Sequence, residues 1–263
     1  MSHENQWLPA TEWPAIHDAD IHLWFVDTAE HTAQATSLRA LLNADERVRA
    51  DRFYFAVDRI RFTIGRALLR SVLARYLAID PAEIGLAYGA RGKPELAEPT
   101  AASGIRFNLS HAGPLFLVAV GLGRHLGVDI ELLSPRERMH QLAEKIFSPA
   151  EVGRFRQLAP TEQLAVFYRG WTQREALLKA RGDGLGGPFT QIECHDVPGT
   201  DLVHFTIRDQ PEESQRWSLM TFSPRPDCVA SLAFDGKPGL ICKWRGIDTP
   251  KQHVEDQGSS WSP

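Results

Sequence analysis

Asp129 and Glu131 sit two residues apart inside the apolar run Gly127-Val128-Asp129-Ile130-Glu131-Leu132. If that run is a strand, both carboxylates point to the same side. Two anions on one face of an apolar strand repel each other and lose solvation unless a cation holds them. A hard divalent ion with oxygen ligands, Mg²⁺ first and Mn²⁺ as a second fit, is the simplest remedy. Further along, Trp171, Glu175 and Lys179 recur at i, i+4 and i+8, so a helix would line them up on one ridge. Glu175 could then be a third metal ligand or a general base, and Lys179 a counter-charge for a phosphate oxygen. The same pair would also serve as a plain surface ion pair, and spacing alone leaves both readings open.

Two further segments offer phosphate chemistry. In Phe107-Asn108-Leu109-Ser110-His111-Ala112-Gly113, adjacent Ser110 and His111 would point apart on an extended chain, which argues against a nucleophile and its base. Hydroxyl, imidazole and backbone N–H groups on one turn instead suit a phosphate cradle, with a structural Asn/Ser turn as the alternative. Arg91-Gly92-Lys93-Pro94 puts cations on a glycine-proline turn. Residues 46–75 hold eight arginines against three acids, Glu46, Asp51 and Asp58. Such a segment can meet a phosphorylated ligand or an acidic partner, although a solvated arginine-rich helix face has the same composition. Within it, Arg61 could reach a phosphate bidentately.

These residues need elements to position them. His22–Asp27 reads as a first strand, and residues 43–56 as a charge-rich helix. Between Ile60 and Leu77 the apolar positions Ile60, Ile64, Leu68, Val72 and Tyr76 follow a helical period. A turn-rich stretch over 88–105 precedes a short strand at Ile105–Asn108. Leu115–Val120 and Leu126–Leu132 read as a β-hairpin joined through Gly121-Leu122-Gly123-Arg124. The second half opens with a helix near 138–146, then Ser148-Pro149-Ala150-Glu151, a capping box with proline at the first helical position. A long helix over 162–181 stops at Gly182, with Ala176, Leu177 and Ala180 on its core side. Strands at Leu202–Ile207, Trp217–Phe222 and Cys228–Phe234 follow. The expectation is an α+β protein of two similar lobes, 1–122 and 123–245, with a polar tail over 246–263.

Composition narrows the function classes. The 263 residues carry a net charge of −4 with 24% charged and 43% hydrophobic residues, ordinary for a globular protein and unsuited to general nucleic-acid binding. No apolar stretch is long enough to span a bilayer, and the N-terminus lacks a signal-peptide pattern. The three cysteines, Cys194, Cys228 and Cys242, are widely spaced and read as reduced thiols of a cytoplasmic protein. His195, His204 and His253 lack metal-site spacing.

In chain order, Arg91-Gly92-Lys93-Pro94, Phe107 to His111, Gly127 to Glu131, Phe147 to Glu151 and Trp171-x-x-Arg174-Glu175-Ala176-x-x-Lys179, followed by Gly182-Asp183-Gly184-Leu185, resemble the 4′-phosphopantetheinyl transferases of the Sfp type. The stretches Arg52-Phe53-Tyr54 and Arg61 to Val72 extend the resemblance, which covers residues 45–190. It implies a pseudo-dimer of two α+β lobes with the site in the cleft between them. It implies transfer of the phosphopantetheine arm of coenzyme A to a serine of an apo acyl or peptidyl carrier protein, releasing adenosine 3′,5′-bisphosphate. That carrier could belong to fatty-acid, polyketide or non-ribosomal peptide synthesis.

By the same resemblance Asp129, Glu131 and Glu175 would bind Mg²⁺, and Glu175 would deprotonate the carrier serine, directly or through a metal-bound water. Lys179 would contact the pyrophosphate, Ser110 and His111 the nucleotide end with His111 near the 3′-phosphate, Arg61 and Arg49 that same phosphate, and Lys93 the adenine or ribose side, while Arg91 and Arg174 would be further cofactor-binding residues. Two positions depart from the pattern: Arg174 replaces the usual lysine, and Glu46 stands at a basic position. A monomer is expected, since one chain would contain both walls of the cleft. The competing readings are a coenzyme A or carrier-protein binding module without catalysis, and a metal-dependent phosphohydrolase. Intact Asp129, Glu131, Glu175 and Lys179 argue against the first, and the lack of a further Asp/His cluster argues against the second.

Overall fold

The computed structural model describes residues 7–9, 15–89, 92–184, 187–237 and 239–247. Arg91, Leu185 and residues 248–263 of the expected tail lie outside them. The first half runs β1 (Leu8–Pro9), β2 (Ile21–Asp27), α1 (Ala35–Leu38), α2 (Ala44–Asp51), α3 (Ala56–Leu77), β3 (Leu86–Tyr88), β4 (Pro94–Leu96), β5 (Ile105–Ala112) and β6 (Leu115–Leu122). The second runs β7 (Leu126–Leu132), α4 (Met139–Ile146), α5 (Pro149–Gln157), α6 (Pro160–Arg181), β8 (Ile192–Asp196), β9 (Leu202–Ile207), α7 (Pro211–Arg216), β10 (Trp217–Phe222), β11 (Cys228–Asp235) and β12 (Ile241–Arg245).

Two five-stranded sheets organise these elements, in the orders β1-β12-β2-β6-β5 and β7-β11-β10-β9-β8, with β3 and β4 forming a separate pair. Strand β2 is buried at every residue because its two faces serve two different cores. Trp24 and Val26, with Val118 and Val120 of β6, pack beneath Ile64, Leu68 and Val72 of α3. Their alternates Leu23 and Phe25, with Leu117 and Ala119, meet Val128, Ile130 and Leu232 of the second sheet. On that sheet's far side Ala176, Leu177 and Ala180 of α6 pack against Ile192, Phe205 and Leu219. The layers therefore run α3, first sheet, second sheet, α6, each sheet covered by a 22-residue helix. This is the expected α+β architecture of two similar lobes.

One expected pairing is wrong. Leu115–Leu122 and Leu126–Leu132 do not form a hairpin: β6 pairs with β2 and β5, whereas β7 pairs antiparallel with β11. The glycine-containing link carries the chain out of one sheet and into the other, so β5 and β7 become edge strands of different sheets that face each other. A hydrogen bond joins them, from the Val128 N–H to Asn108 Oδ1 at 2.9 Å. Strand β12, expected in the second lobe, returns to pair parallel with β2 in the first sheet. Strand β8 was not anticipated from sequence. The capping box is as expected: Ser148 Oγ accepts from the Glu151 N–H while Glu151 accepts from the Ser148 N–H. Helix α6 ends at Gly182, whose φ of 81° is left-handed. The three cysteines are free.

Candidate active site

Strand β7 supplies two carboxylates by simple alternation. Val128 and Ile130 point into the core between the sheets, so Asp129 and Glu131 point the other way, towards α6. Helix α6 can lie close over them because β7 carries glycine at position 127. A Cβ there would stand 2.3 Å from the Ala176 carbonyl oxygen and 2.4 Å from the Ala180 nitrogen, both backbone atoms. That close approach brings the Glu175 and Lys179 ridge down onto the strand. Edge strand β5 adds Ser110 and His111 from the first lobe.

The result is a cleft of about 770 Å³ between the lobes, lined by Asp129, Glu131, Glu175, Lys179, Ser110, His111 and Lys93 together with Trp171. Lys179 Nζ donates to Asp129 Oδ1 at 2.7 Å, to Ser110 Oγ at 3.0 Å and to the Val128 carbonyl at 3.1 Å. Ser110 Oγ in turn donates to Asp129 Oδ1 at 2.8 Å. Lys179 therefore spans helix, strand and neighbouring lobe, and does not form the alternative surface pair with Glu175. Lys93 Nζ donates to the carbonyls of Leu126 (3.2 Å) and Lys179 (2.9 Å), tying its loop to both β7 and the end of α6. Burial lowers the pKa of the Lys93 ammonium, despite the opposing pull of Glu95.

The carboxylates are held under mutual repulsion. Asp129 and Glu175 are 5% and 4% exposed. Burial, and then the charge of Asp129, pushes Glu131 up to about 7. The same two causes in the same order push Glu175 up to about 7. Asp129 Oδ2 and Glu175 Oε1 are buried acceptors with no hydrogen-bond partner. Among the described residues no three His, Cys, Asp or Glu side chains form a ready-made metal cage. The donor set nevertheless suits a hard divalent ion: oxygens only, excess negative charge, and two acceptors awaiting a partner.

A second cavity of about 380 Å³ opens beside the cleft, sharing His111 and Leu109 with it. Arg49 and Arg61 line it, as does Arg66, which sequence reasoning missed. His111 stacks on Phe116, ring centroids 5.1 Å apart, and burial followed by Lys179 lowers its pKa. The spacing of Arg66 in an arginine-rich helix gave no sign of which side it faces.

Arg174 does not belong to the cleft. Its guanidinium is fully buried; Nη2 donates to both Glu151 oxygens (2.8 and 2.6 Å) and to the Ile192 carbonyl, and Nη1 donates to the Gly170 carbonyl. Five planar donors satisfy these acceptors in a way that an ammonium could not. The expected cofactor contact is thus replaced by a structural one, in which the capping-box Glu151 also fixes α6. Of the other expected residues, Arg91 lies outside the described ones, and the rest line one of the two adjoining cavities. Trp171 forms part of the cleft wall, with the Arg136 guanidinium 5.7 Å above its ring and Phe189 stacked against it.

Comparison with known proteins agrees with this geometry. Residues 125–227 match the model of the 4′-phosphopantetheinyl transferase superfamily, and residues 29–122 match that of the 4′-phosphopantetheinyl transferase N-terminal region. The 4′-phosphopantetheinyl transferase HetI of Nostoc sp. is 37% identical over 233 residues, 89% of this chain and 95% of its own. The 4′-phosphopantetheinyl transferase of Bacillus subtilis is 30% identical over 183 residues, 70% of this chain and 78% of its own. A solved holo-[acyl-carrier-protein] synthase from Thermotoga maritima superposes weakly, with a TM-score of 0.33 and 19% identity over 43% of this chain and 63% of that one, and adds nothing to the assignment. With one relative alike over nearly its whole length and both halves matched in order, the chain belongs to the 4′-phosphopantetheinyl transferase superfamily of enzymes.

Proposed function

We propose that this chain transfers the 4′-phosphopantetheine arm of coenzyme A to a serine of an apo carrier protein and releases adenosine 3′,5′-bisphosphate. The observation that carries the reading is the grouping of Asp129, Glu131, Glu175 and Lys179 in one cleft, with two buried carboxylate oxygens unpartnered. Asp129, Glu131 and Glu175 would hold Mg²⁺, or Mn²⁺ in its place. When bound, that ion would neutralise charge on the pyrophosphate and on the leaving bisphosphate.

The chain's own residues supply the rest. In the transfer, the serine oxygen forms a bond to the phosphorus nearest the pantetheine, and the bond from that phosphorus to the bridging oxygen breaks. Glu175, whose Oε1 is buried without a hydrogen-bond partner, takes the serine proton. Lys179 exchanges its hold on Asp129 for a non-bridging pyrophosphate oxygen, while Ser110 and His111 donate to the nucleotide side. Arg49 and Arg61, on the adjoining cavity, receive the 3′-phosphate. Trp171 and its stacked neighbours shield one wall from water. Both walls of the cleft come from one chain, which supports a monomer, and the free cysteines support a cytoplasmic setting. Among the described residues no helix is long and apolar enough to cross a membrane.

The test is the mass of a purified apo carrier protein after incubation with coenzyme A and Mg²⁺. A gain of one phosphopantetheine is expected. No gain, with coenzyme A still bound to the chain, would leave the non-catalytic binding module as the better reading.

A further inference from the structure

The face of the second sheet that α6 covers is small or apolar along one row and polar along the next. Gly127, Ala233 and Leu219 stand side by side across β7, β11 and β10. Two residues along each strand, on the same face, stand Asp129, Ser231 and Thr221. Ser231 and Thr221 are buried and do not line the cleft. Helix α6 sets Thr172 and Gln173, also buried, against them. A polar row inside a helix–sheet interface is costly unless each of its groups is paired.

Every hydroxyl in this row is paired, and the bonds run in one direction. Gln173 Nε2, which can only donate, donates to Thr221 Oγ1 at 3.2 Å. Thr221 donates to Ser231 Oγ at 3.0 Å and Ser231 to Thr172 Oγ1 at 2.9 Å. Thr172 donates to the Arg169 carbonyl, which can only accept, at 3.1 Å. The amide at one end and the carbonyl at the other fix the sense of the two bonds between hydroxyls. Gln173 Nε2 also donates to Asp196 Oδ1 at 2.9 Å, and Asp196 Oδ2 accepts from Arg169 Nε at 2.9 Å, so the ring closes on Arg169. A one-residue slip of α6, an axial shift of about 1.5 Å with a turn of about 100°, would break every bond of the ring between helix and sheet. The Ser231 and Thr221 hydroxyls would then be buried without their helical partners.

We propose that this ring sets the axial register of α6 on the second sheet and so keeps Glu175 beside Asp129 for a shared metal ion, with Thr172 and Ser231 as positioning residues. Ser231 is the cross-strand neighbour of Asp129, and Thr172 lies one turn before Glu175 on α6. The bond between them therefore ties the two carboxylates together through one strand spacing and one helical turn. Glu175 Oε1 has no hydrogen-bond partner of its own to hold it there. Gly127 lets α6 come down onto β7, and the ring decides where along the sheet it lands. Lys179 cannot do this throughout turnover, because it leaves Asp129 for the pyrophosphate. The inference rests on the metal reading of the site given above.

Mn²⁺ binding in the presence of coenzyme A and without a carrier protein, read by electron paramagnetic resonance, tests this alongside steady-state transfer. Thr172→Val and Ser231→Ala should each weaken Mn²⁺ binding by roughly 10- to 100-fold, the usual effect of losing a group that orients a metal ligand, and lower kcat with KM for the carrier unchanged. Thr172→Ser, which keeps the hydroxyl, should restore both. Replacing the whole ring (Thr172→Val, Gln173→Leu, Thr221→Val and Ser231→Ala together) leaves no buried hydroxyl behind. That protein should melt no lower than the wild type yet bind Mn²⁺ as weakly as Thr172→Val does. A merely structural ring would show the reverse, a lower melting temperature with Mn²⁺ affinity intact. Unchanged affinity in folded Thr172→Val and in the four-site protein, with the wild type binding Mn²⁺, would overturn the positioning role alone. A wild type that binds no Mn²⁺ would defeat the metal reading and this proposal with it.

Discussion

Gly127→Ala tests the way the two halves of the candidate site are brought together. The new Cβ would lie 2.3 Å from the Ala176 oxygen, 2.4 Å from the Ala180 nitrogen and 2.9 Å from the Lys179 carbonyl carbon. All three are backbone atoms, so no rotamer change relieves the clash. Restoring an ordinary contact of 3.4 Å from 2.3 Å requires α6 to lift by about 1.1 Å from β7. Overpacking of this kind costs about 1–3 kcal/mol of stability. The same lift strains the Lys179 bonds to Asp129 (2.7 Å) and Ser110 (3.0 Å) and moves Glu175 with them. A displacement of about 1 Å at a reacting centre lowers turnover by about 100-fold. Urea denaturation should therefore show a loss of about 2 kcal/mol, and the carrier mass-shift assay a loss of about two orders of magnitude in rate. Gly153→Ala is the matched control, since a Cβ there meets nothing within 4 Å and Gly153 lies in the helix α5. It should be neutral or stabilise by up to about 1 kcal/mol. Should Gly127→Ala behave like Gly153→Ala in both assays, the close approach of helix and strand does not set the site.

Glu175→Gln should abolish transfer while the protein stays folded, read as carrier mass shift against far-ultraviolet circular dichroism; near-full turnover would remove Glu175 as the base. Arg174→Lys should cost about 3 kcal/mol in denaturant, since it strips partners from buried Glu151, without a selective change in the KM for coenzyme A; a selective KM change would return Arg174 to the cleft. Glu131 and Glu175 are raised from 4.5 to about 7, so without a metal the folded chain keeps protons that the unfolded chain has lost. Their contribution to stability is full below pH 4.5 and lost as pH rises through 7. In chelator the melting temperature should accordingly fall between pH 5 and pH 8, and the rise on adding Mg²⁺ should be larger at pH 8 than at pH 6, where protons compete for the same oxygens. A Mg²⁺ effect that is equal at both pH values would contradict the ligand assignment.

The carboxylate geometry was legible because it follows from local periodicity. Alternation in β7 and the i, i+4 ridge in α6 are properties of a few neighbouring residues, and the structure brings Asp129, Glu131, Glu175 and Lys179 to one cleft as those periodicities predict. Pairing between strands is not local. Leu115–Leu122 and Leu126–Leu132 carry the same apolar signal whether they pair with each other or, as here, with β2 and β11, whose positions along the chain nothing in that signal encodes. Strand β8, Ile-Glu-Cys-His-Asp, was missed because an edge strand with one fully buried residue shows no clear alternation. Arginine orientation was equally hidden: Arg174 was read towards the ligand and turns inward, whereas Arg66 was passed over and faces a cavity. Long flexible side chains are placed by the acceptors around them, here Glu151 and Glu46, which come from other elements.

Strand β12 has a consequence for how the molecule comes into being. The first sheet takes its fifth and last strand in chain order from residues 241–245, slotted between β1 and β2. During synthesis that sheet stays unfinished, with one side of β2 lacking its ladder, until almost every described residue has left the ribosome. Cutting the gene at the junction near residue 123 would not yield two self-sufficient halves, because the opening half would always want a strand that only the closing half can give.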